Sequence, residues 1–476
     1  MSDYHPFRPK FHFTPPANWM NDPNGLVHDG EVYHLFYQHN PYDTAWGHMS
    51  WGHAVSRDLV RWEHLPVAIS EAPDVGYTIF SGSAVIDRTN SSGFGEAGVP
   101  PLVAIYTADH AGPERRRQTI HIAYSTDRGR TFTEYAGNPV IDEDEAKFGD
   151  PKVFWHVPTQ RWILVAIVGH EQGHVVLYGS EDLKTWTPLS AYHAPDVAPG
   201  VWECPDLFPL RLDGVPAQTR WVLKVNCTRA PGELPATRWF LGDFDGERFT
   251  SATPLGRSLT SDDGAIYAEV TYNHVPDGRR ILMGWLREQP HVDRPWTGAQ
   301  SMPRVLTLRT GAHGPELRQR PVLDVHALCA RRWTFPEQPL AGEWTLDGVD
   351  LSGRALELSA TFSVDATCGF RLTLDDGSQL SVGFDKAAGA LFIDPGDGRR
   401  ITTPCSPTDD LVTVRVFLDQ AIVEAFGPEA ELDTTAAVTG FMPYGAAYER
   451  LSVFAEGGSV KVQRLDIWSL AQRERG

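Results

Sequence analysis

The sequence predicts an all-β protein, a five-bladed β-propeller followed by a C-terminal β-sandwich, and three observations lead there. Helical periodicity is scarce: short runs such as "EVYHLFYQ", "PLVAIYTA", "RWILVAIVG", "RWVLKVN" and "RRILMGWL" are rich in β-branched and aromatic residues, and Gly and Pro punctuate them. A turn motif recurs along the first two thirds of the chain. Beyond about residue 310 the texture becomes alternating strands separated by turns.

The motif is first met at Ser56-Arg57-Asp58-Leu59-Val60-Arg61-Trp62. It returns at Ser125–Phe132 and Ser180–Trp186, and more loosely at Asp243–Phe249. Its physical content is a tight turn built by Ser and Asp side chains, then an aromatic that plugs the blade. The interval is roughly 60 residues, which suits four strands per unit, and residues 1–310 hold five such units. The domains expected are therefore 1–310 as propeller, 311–334 as linker and 335–476 as sandwich.

Phase then predicts a site. The first strand of each propeller blade lines the central channel, so residues at equal phase converge. Asp150 in "FGDPKVFW", Glu203 in "WECPDLF", Ser81 in "IFSGSAV" and Asp263 in "SDDGAIYAEV" each follow a turn aspartate by about 20 residues, and Asp22 heads the first such strand. Asp22 sits in "NWMNDPNG", ordinary turn chemistry placed directly after two residues that prefer burial, so Trp19 and Met20 are expected in a pocket wall.

Composition narrows the partner. A formal net charge of -19 argues against nucleic acid and against an anionic membrane surface, and leaves a neutral small molecule open. No apolar run approaches a membrane span, and "MSDYHPFRPKFHFTPPANW" lacks the apolar stretch of a secretion signal, so a cytoplasmic location is expected. Five scattered cysteines without paired spacing read as reduced, mostly buried thiols. His48, His53 and His64 read as pocket edge or surface rather than as a metal set.

Three convergent acids with no basic cluster suit a metal or acetal chemistry. For glycoside hydrolysis two suffice, one attacking or activating water and one protonating the leaving oxygen. The stiff turn around Asp22 holds a short carboxylate in place. Trp202, Cys204 and Pro205 give Glu203 an apolar neighbourhood, expected to raise its pKa as an acid catalyst requires.

Together, "NWMNDPNG", "FYQHNPYDTAWGHMSWGHAVSRDLVRWEHLPVAI", "FSGSAV", "DPKVF", "WECPDLF", "RILMGWL" with "WTGAQSMPR", and "VTVRVFLDQAIVEAFG" in the second domain resemble glycoside hydrolase family 32 over nearly the whole chain. The resemblance implies retaining hydrolysis of β-fructofuranosides, with sucrose and short fructo-oligosaccharides as substrates and inulin or levan as longer ones. It implies Asp22 as nucleophile, Glu203 as acid/base and Asp150 as the group that holds fructose hydroxyls in the transition state. Asn21, Gln38, Trp46 and Ser83 would line the fructosyl pocket, with Trp19 and Phe80 as apolar walls. No metal or organic cofactor is implied.

One position departs from the family pattern: Gly149 stands where an arginine usually precedes the aspartate, with Arg287, Lys152 or water as candidate replacements. The rival readings are a fructosyltransferase using the same residues, an altered-specificity or inverting furanosidase, and a sugar-binding propeller without activity. The sandwich is expected to be structural, and a candidate surface for a homo-oligomer.

Overall fold

The computed structural model describes residues 5–471 apart from 73, 75, 97, 112–115, 170–172, 195–199, 229–235, 253–256, 259–264, 288–293, 312–313, 428–433 and 444. Asp263, expected at the channel mouth, lies outside the described residues.

The propeller has the five blades that the turn spacing predicts. Their innermost strands are Asn18–His28, Tyr77–Ile86, Phe148–His156, Val201–Arg211 and Ile266–Thr271, and each neighbours the next around a ring. Blade one continues outward through Tyr33–Asn40, Ser50–Ser56 and Trp62–Ile69 in antiparallel order, and the others follow the same plan. The ring is closed by Trp296–Thr297, which pairs in parallel with Asn18 and Trp19. The recurring turn joins the third and fourth strands of a blade. Asp58, Asp127, Asp182 and Asp245 each accept two backbone N–H bonds there. Leu59, Arg128 and Leu183 occupy the same left-handed position, at φ 63°, 63° and 62°.

Each pair of adjacent blades shares its own apolar core. Met20, expected beside the pocket, instead has 0 % exposure in the core between blades five and one. Successive residues of a strand point to opposite faces, so Trp19 and Met20 part company.

The fifth blade ends with Arg304–Gly311 and Gly314–Pro321. Most of the first half of the segment expected to be a linker is thus the blade's outer strand, and a single 3-10 turn, Leu323–Leu328, leads into the second domain. That domain is a sandwich whose two layers share one long strand, Tyr448–Leu470. Its first half pairs with Thr367–Leu374 and with part of Gln338–Thr345, its second with Cys329–Phe335 and Ala355–Ser363. The pairing is interrupted between Ala455 and Ser459, around Gly457 at φ 77°, where a residue without Cβ bends at little cost.

A buried polar seam joins the domains. The backbone N–H groups of Lys10, Phe11 and His12 donate to the Asp419 carboxylate, and the His12 ring lies 2.9 Å from Asp419 and 3.2 Å from Glu424. Arg304 donates to Glu424 at 2.6 Å, as does the backbone of Met302 at 2.8 Å.

Candidate active site

All five innermost strands start at the same end of the channel, and each breaks its ladder register there. The irregularities fall between Met20 and Pro23, Phe80 and Gly82, Gly149 and Lys152, Glu203 and Asp206, and Tyr267 and Val270. A bulge re-aims side chains, and these five turn Asp22, Ser81, Asp150, Glu203 with Cys204, and Tyr267 toward one mouth. Asp150, Cys204 and Ala268 adopt positive φ at 54°, 47° and 52°, backbone strain stored where the bulges are.

The acids are held by hydrogen bonds. Asp22 accepts from the Ser81 hydroxyl at 2.6 Å and from Asn21 Nδ2 at 3.0 Å. Asn21 is fixed in turn by Trp19 Nε1 at 2.7 Å and by Gln300, which donates to its carbonyl at 2.7 Å. The backbone N–H of Asp150 donates to Thr107 Oγ1, and its carboxylate accepts from the backbone of Cys204 at 3.0 Å. The Cys204 thiol lies 3.8 Å from Asp22 and 3.9 Å from Asp150, so one small side chain touches both carboxylates. Glu203 is clamped on both oxygens, by Lys147 Nζ at 2.9 Å and by the Tyr267 hydroxyl at 2.6 Å.

Proton affinities follow from this crowding. Burial pushes the Asp22 carboxyl up to about 6; its bonds to Ser81 and Asn21 pull the other way, and repulsion by Asp150 and Glu203 adds to the rise. Asp150 is raised as well, first by burial, with the Lys147 charge opposing. Burial also pushes Glu203 up, but the charge and hydrogen bond of Lys147, then the Tyr267 bond, outweigh it and hold Glu203 below its ordinary value. This reverses the expectation that apolar neighbours raise Glu203. Trp202 points to the other face of the strand, into the core with Phe240, and the face that carries Glu203 carries a lysine.

The remaining expected residues are placed as follows. Trp19 makes an edge-on contact with Trp285 at 6.1 Å, and Phe80 with Trp46 at 6.3 Å. Trp46 is 60 % exposed, on the rim rather than inside a pocket. Gln38 is buried, and its Nε2 has no hydrogen-bond partner. Ser83 does not reach the acids' hydrogen-bond network. Two residues beyond Ser81 along the inner strand, it sits deeper in the channel by about 6–7 Å, and its hydroxyl accepts the Val153 backbone N–H, tying blade two to blade three. Ser81, the residue that the phase singles out, holds Asp22.

Neither side chain expected to replace the missing arginine hydrogen-bonds to the three acids. Lys152 points down the channel to the Thr271 carbonyl and to Asp206, 3.4 Å away. Arg287 lies 5.5 Å over the Tyr267 ring at the mouth. The space at Gly149 is itself occupied: a Cβ there would meet Thr107 at 2.7 Å from Oγ1 and 2.9 Å from Cγ2. Sequence reasoning missed Lys147, Tyr267 and Thr107. The available signal was a lone lysine after the acidic run "IDEDEA", just ahead of an inner strand.

Beyond the plug of Lys152, Asp206 and Thr271, the channel's far end opens into a cavity of about 860 Å³, lined among others by Phe154, Trp155, Trp221, His274 and Arg280. Among its described lining residues the one acid is Asp245.

The comparisons agree with this geometry. Residues 12–321 match the description "Glycosyl hydrolases family 32 N-terminal domain" and residues 331–469 "Glycosyl hydrolases family 32 C terminal". The chain is 39 % identical to the levanase of Bacillus subtilis (strain 168), over 98 % of this chain and 70 % of that protein. It is 35 % identical to an extracellular exo-inulinase of Aspergillus niger, over 98 % of this chain and 95 % of the other. Among solved structures, exo-inulinase from Aspergillus awamori superposes with a TM-score of 0.87 at 30 % identity, covering 99 % of both chains. Fructofuranosidase from Schwanniomyces occidentalis complexed with fructose gives 0.86 at 28 % identity, covering 98 % of both. With both of its domains matched and its acids gathered at the mouth of a five-bladed propeller, the chain belongs to glycosyl hydrolase family 32 and is a glycosidase.

Proposed function

We propose that this glycosidase releases terminal β-D-fructofuranosyl units from sucrose and short fructo-oligosaccharides with retention of configuration. The observation that carries the reading is the pair of differently held acids. Asp22 is fixed by Ser81 and Asn21, and Glu203, which acts on it electrostatically, is clamped by Lys147 and Tyr267.

In the first step an oxygen of ionised Asp22 attacks the anomeric carbon of the fructosyl unit. The bond from that carbon to the glycosidic oxygen breaks, and Glu203, in the minority form that carries the pair's proton there rather than on Asp22, gives that oxygen its proton. In the second, water loses a proton to the Glu203 carboxylate and attacks the same carbon, and Asp22 departs as carboxylate. Asp150, bonded through Cys204 and Thr107, accepts hydrogen bonds from fructose hydroxyls, which strengthen as positive charge develops on the ring. The names of the levanase, exo-inulinase and fructofuranosidase relatives support fructosyl transfer to water.

Product analysis on sucrose, kestose, inulin, levan and an aryl α-L-arabinofuranoside tests it. Free fructose from the fructosides, with the arabinoside inert, is the expected result. Transfer oligomers as the main product would move the chain to the transferases, and release from the arabinoside alone would overturn the substrate.

A further inference from the structure

We propose that Lys147 is the positioning residue of the acid/base: its ammonium pins one oxygen of Glu203 while Tyr267 holds the other, and it supplies the positive charge that faces Glu203 each time the carboxyl gives up its proton. The inference deepens the hydrolase reading above and rests on it.

Geometry carries the case. Lys147 lies at the threshold of the third inner strand and Glu203 at the start of the fourth, 56 residues apart, and their charged atoms are 2.9 Å apart. The Lys147 side chain is 11 % exposed against 31 % for Glu203, so the ion pair is closed on the lysine side and opens to the pocket through the carboxylate. A lysine this enclosed would shed its proton without a partner. Here Glu203 and Asp150 outweigh burial and hold it charged well above its ordinary range. The backbone keeps it there, since the Lys147 carbonyl accepts the Gly169 N–H at 3.1 Å.

Lys147 also explains how Gly149 is tolerated. Thr107 fills the space above Gly149 and spends its hydroxyl on the Ser81 carbonyl and the Asp150 N–H. A Cβ at 149 would press on Thr107, and the ammonium bonded to Glu203 comes from two residues earlier.

Lys147, Tyr267 and Arg287 favour the charged form of Glu203, and Cys204, Asp22 and Asp150 repel it; Lys224, which donates to the Cys204 carbonyl at 3.3 Å, acts on Asp22, Asp150 and Cys204. In the first step of turnover Asp22 loses its charge to the ester as Glu203 gains one by giving up its proton. The negative charge moves toward Lys147, which is placed to receive it. Without the ammonium, Glu203 would hold its proton more tightly, and its clamp would be reduced to Tyr267.

The test is the pH dependence of kcat/KM on sucrose and on an aryl β-D-fructofuranoside for the wild type, Lys147→Met, Lys147→Gln and Lys147→Arg, with circular dichroism to verify folding. On sucrose, whose leaving group needs the acid, the limbs report the coupled Asp22 and Glu203 carboxyls of the free enzyme, and the active form carries the pair's proton on Glu203. Removing the adjacent charge raises Glu203 by about one to three pH units, so in both neutral variants the alkaline limb on sucrose moves up, and in Lys147→Arg it stays at the wild-type position. A limb unmoved, or moved down, in the neutral variants overturns the proposal. So does a folded neutral variant that is inactive on the aryl substrate at every pH, because that leaving group does not need the acid. Loss of fold in both neutral variants also overturns it, in favour of a structural role. Wild-type enzyme that frees no fructose from either substrate would instead sink the hydrolase reading.

Discussion

At the seam between the domains, His12 and Arg304 stand against Asp419 and Glu424, two cations for two acids, and each is hydrogen-bonded. At the channel mouth three carboxylates crowd together, and Lys147 is the ammonium bonded to one of them. Both clusters are buried, yet their proton affinities diverge. At the seam burial favours the neutral forms, but the partners win: His12 rises to about 9, and Glu424 falls to about 2 through Arg304 and His12. At the mouth burial prevails for Asp22, which rises to about 6. Burial of charge alone does not mark a site. An imbalance left for the chemistry to settle does.

The sharpest way to break the comparison is to neutralise the mouth. Asp22→Asn removes the nucleophile, and turnover should fall by about 10⁴-fold or more. Glu203→Gln should cost about 10²–10⁴-fold on sucrose. Both variants should fold and melt as the wild type does, since neither acid is a seam residue. Wild-type-like activity in either purified protein would end the assignment.

The converse change is His12→Ala. It strands Asp419 and Glu424 without one of their cations and should destabilise the protein by about 3–5 kcal/mol. The thermal inactivation temperature should drop while kcat/KM at 20 °C stays near wild type. The pH window follows from the directions. His12, raised in the folded state, contributes stability that is complete below its ordinary value of 6.5 and is lost as pH rises through about 9. Glu424, depressed, contributes above its ordinary 4.5 and loses that contribution as pH falls through about 2. The wild-type seam should therefore hold best between these ordinary values, and inactivation rates at pH 6 and pH 9.5 should converge in the variant. Equal pH dependence in wild type and variant would place the stabilising charge elsewhere.

The smallest effect concerns Gly149. Its alanine variant pushes a Cβ against Thr107, an overpacking worth about 1–3 kcal/mol. Because Thr107 holds Asp150, kcat/KM should fall along with stability. An arginine there should lose activity for the same reason rather than gain on sucrose. Unchanged kinetics in Gly149→Ala would mean that Thr107 can move aside without disturbing Asp150.

The turn motif was legible because it is local. Ser and Asp side chains bond backbone groups two to four residues on, so Asp58, Asp127, Asp182 and Asp245 could be read as turn builders, and their spacing as blades. From that phase followed the convergence of Asp22, Ser81, Asp150 and Glu203 at one end of the channel. Ser83 marks the limit of that phase. Both serines lie on the channel face of their strand, and only the depth along the axis, set by the bulge, separates a partner of Asp22 from a tie between blades.

What the sequence determined by itself was the alternation of strands, the turns, the five-fold repeat and the acids it brings to one axis, since each is written within a short window or a fixed period. The tertiary structure alone decided which charges meet. Lys147 reaches Glu203 across 56 residues, Ser81 reaches Asp22 across 59 and His12 reaches Glu424 across 412. The proton affinity of a buried carboxyl is the balance of desolvation against such partners. No local pattern encodes that balance, because it depends on distances of a few ångströms that exist only once the blades have closed into a ring.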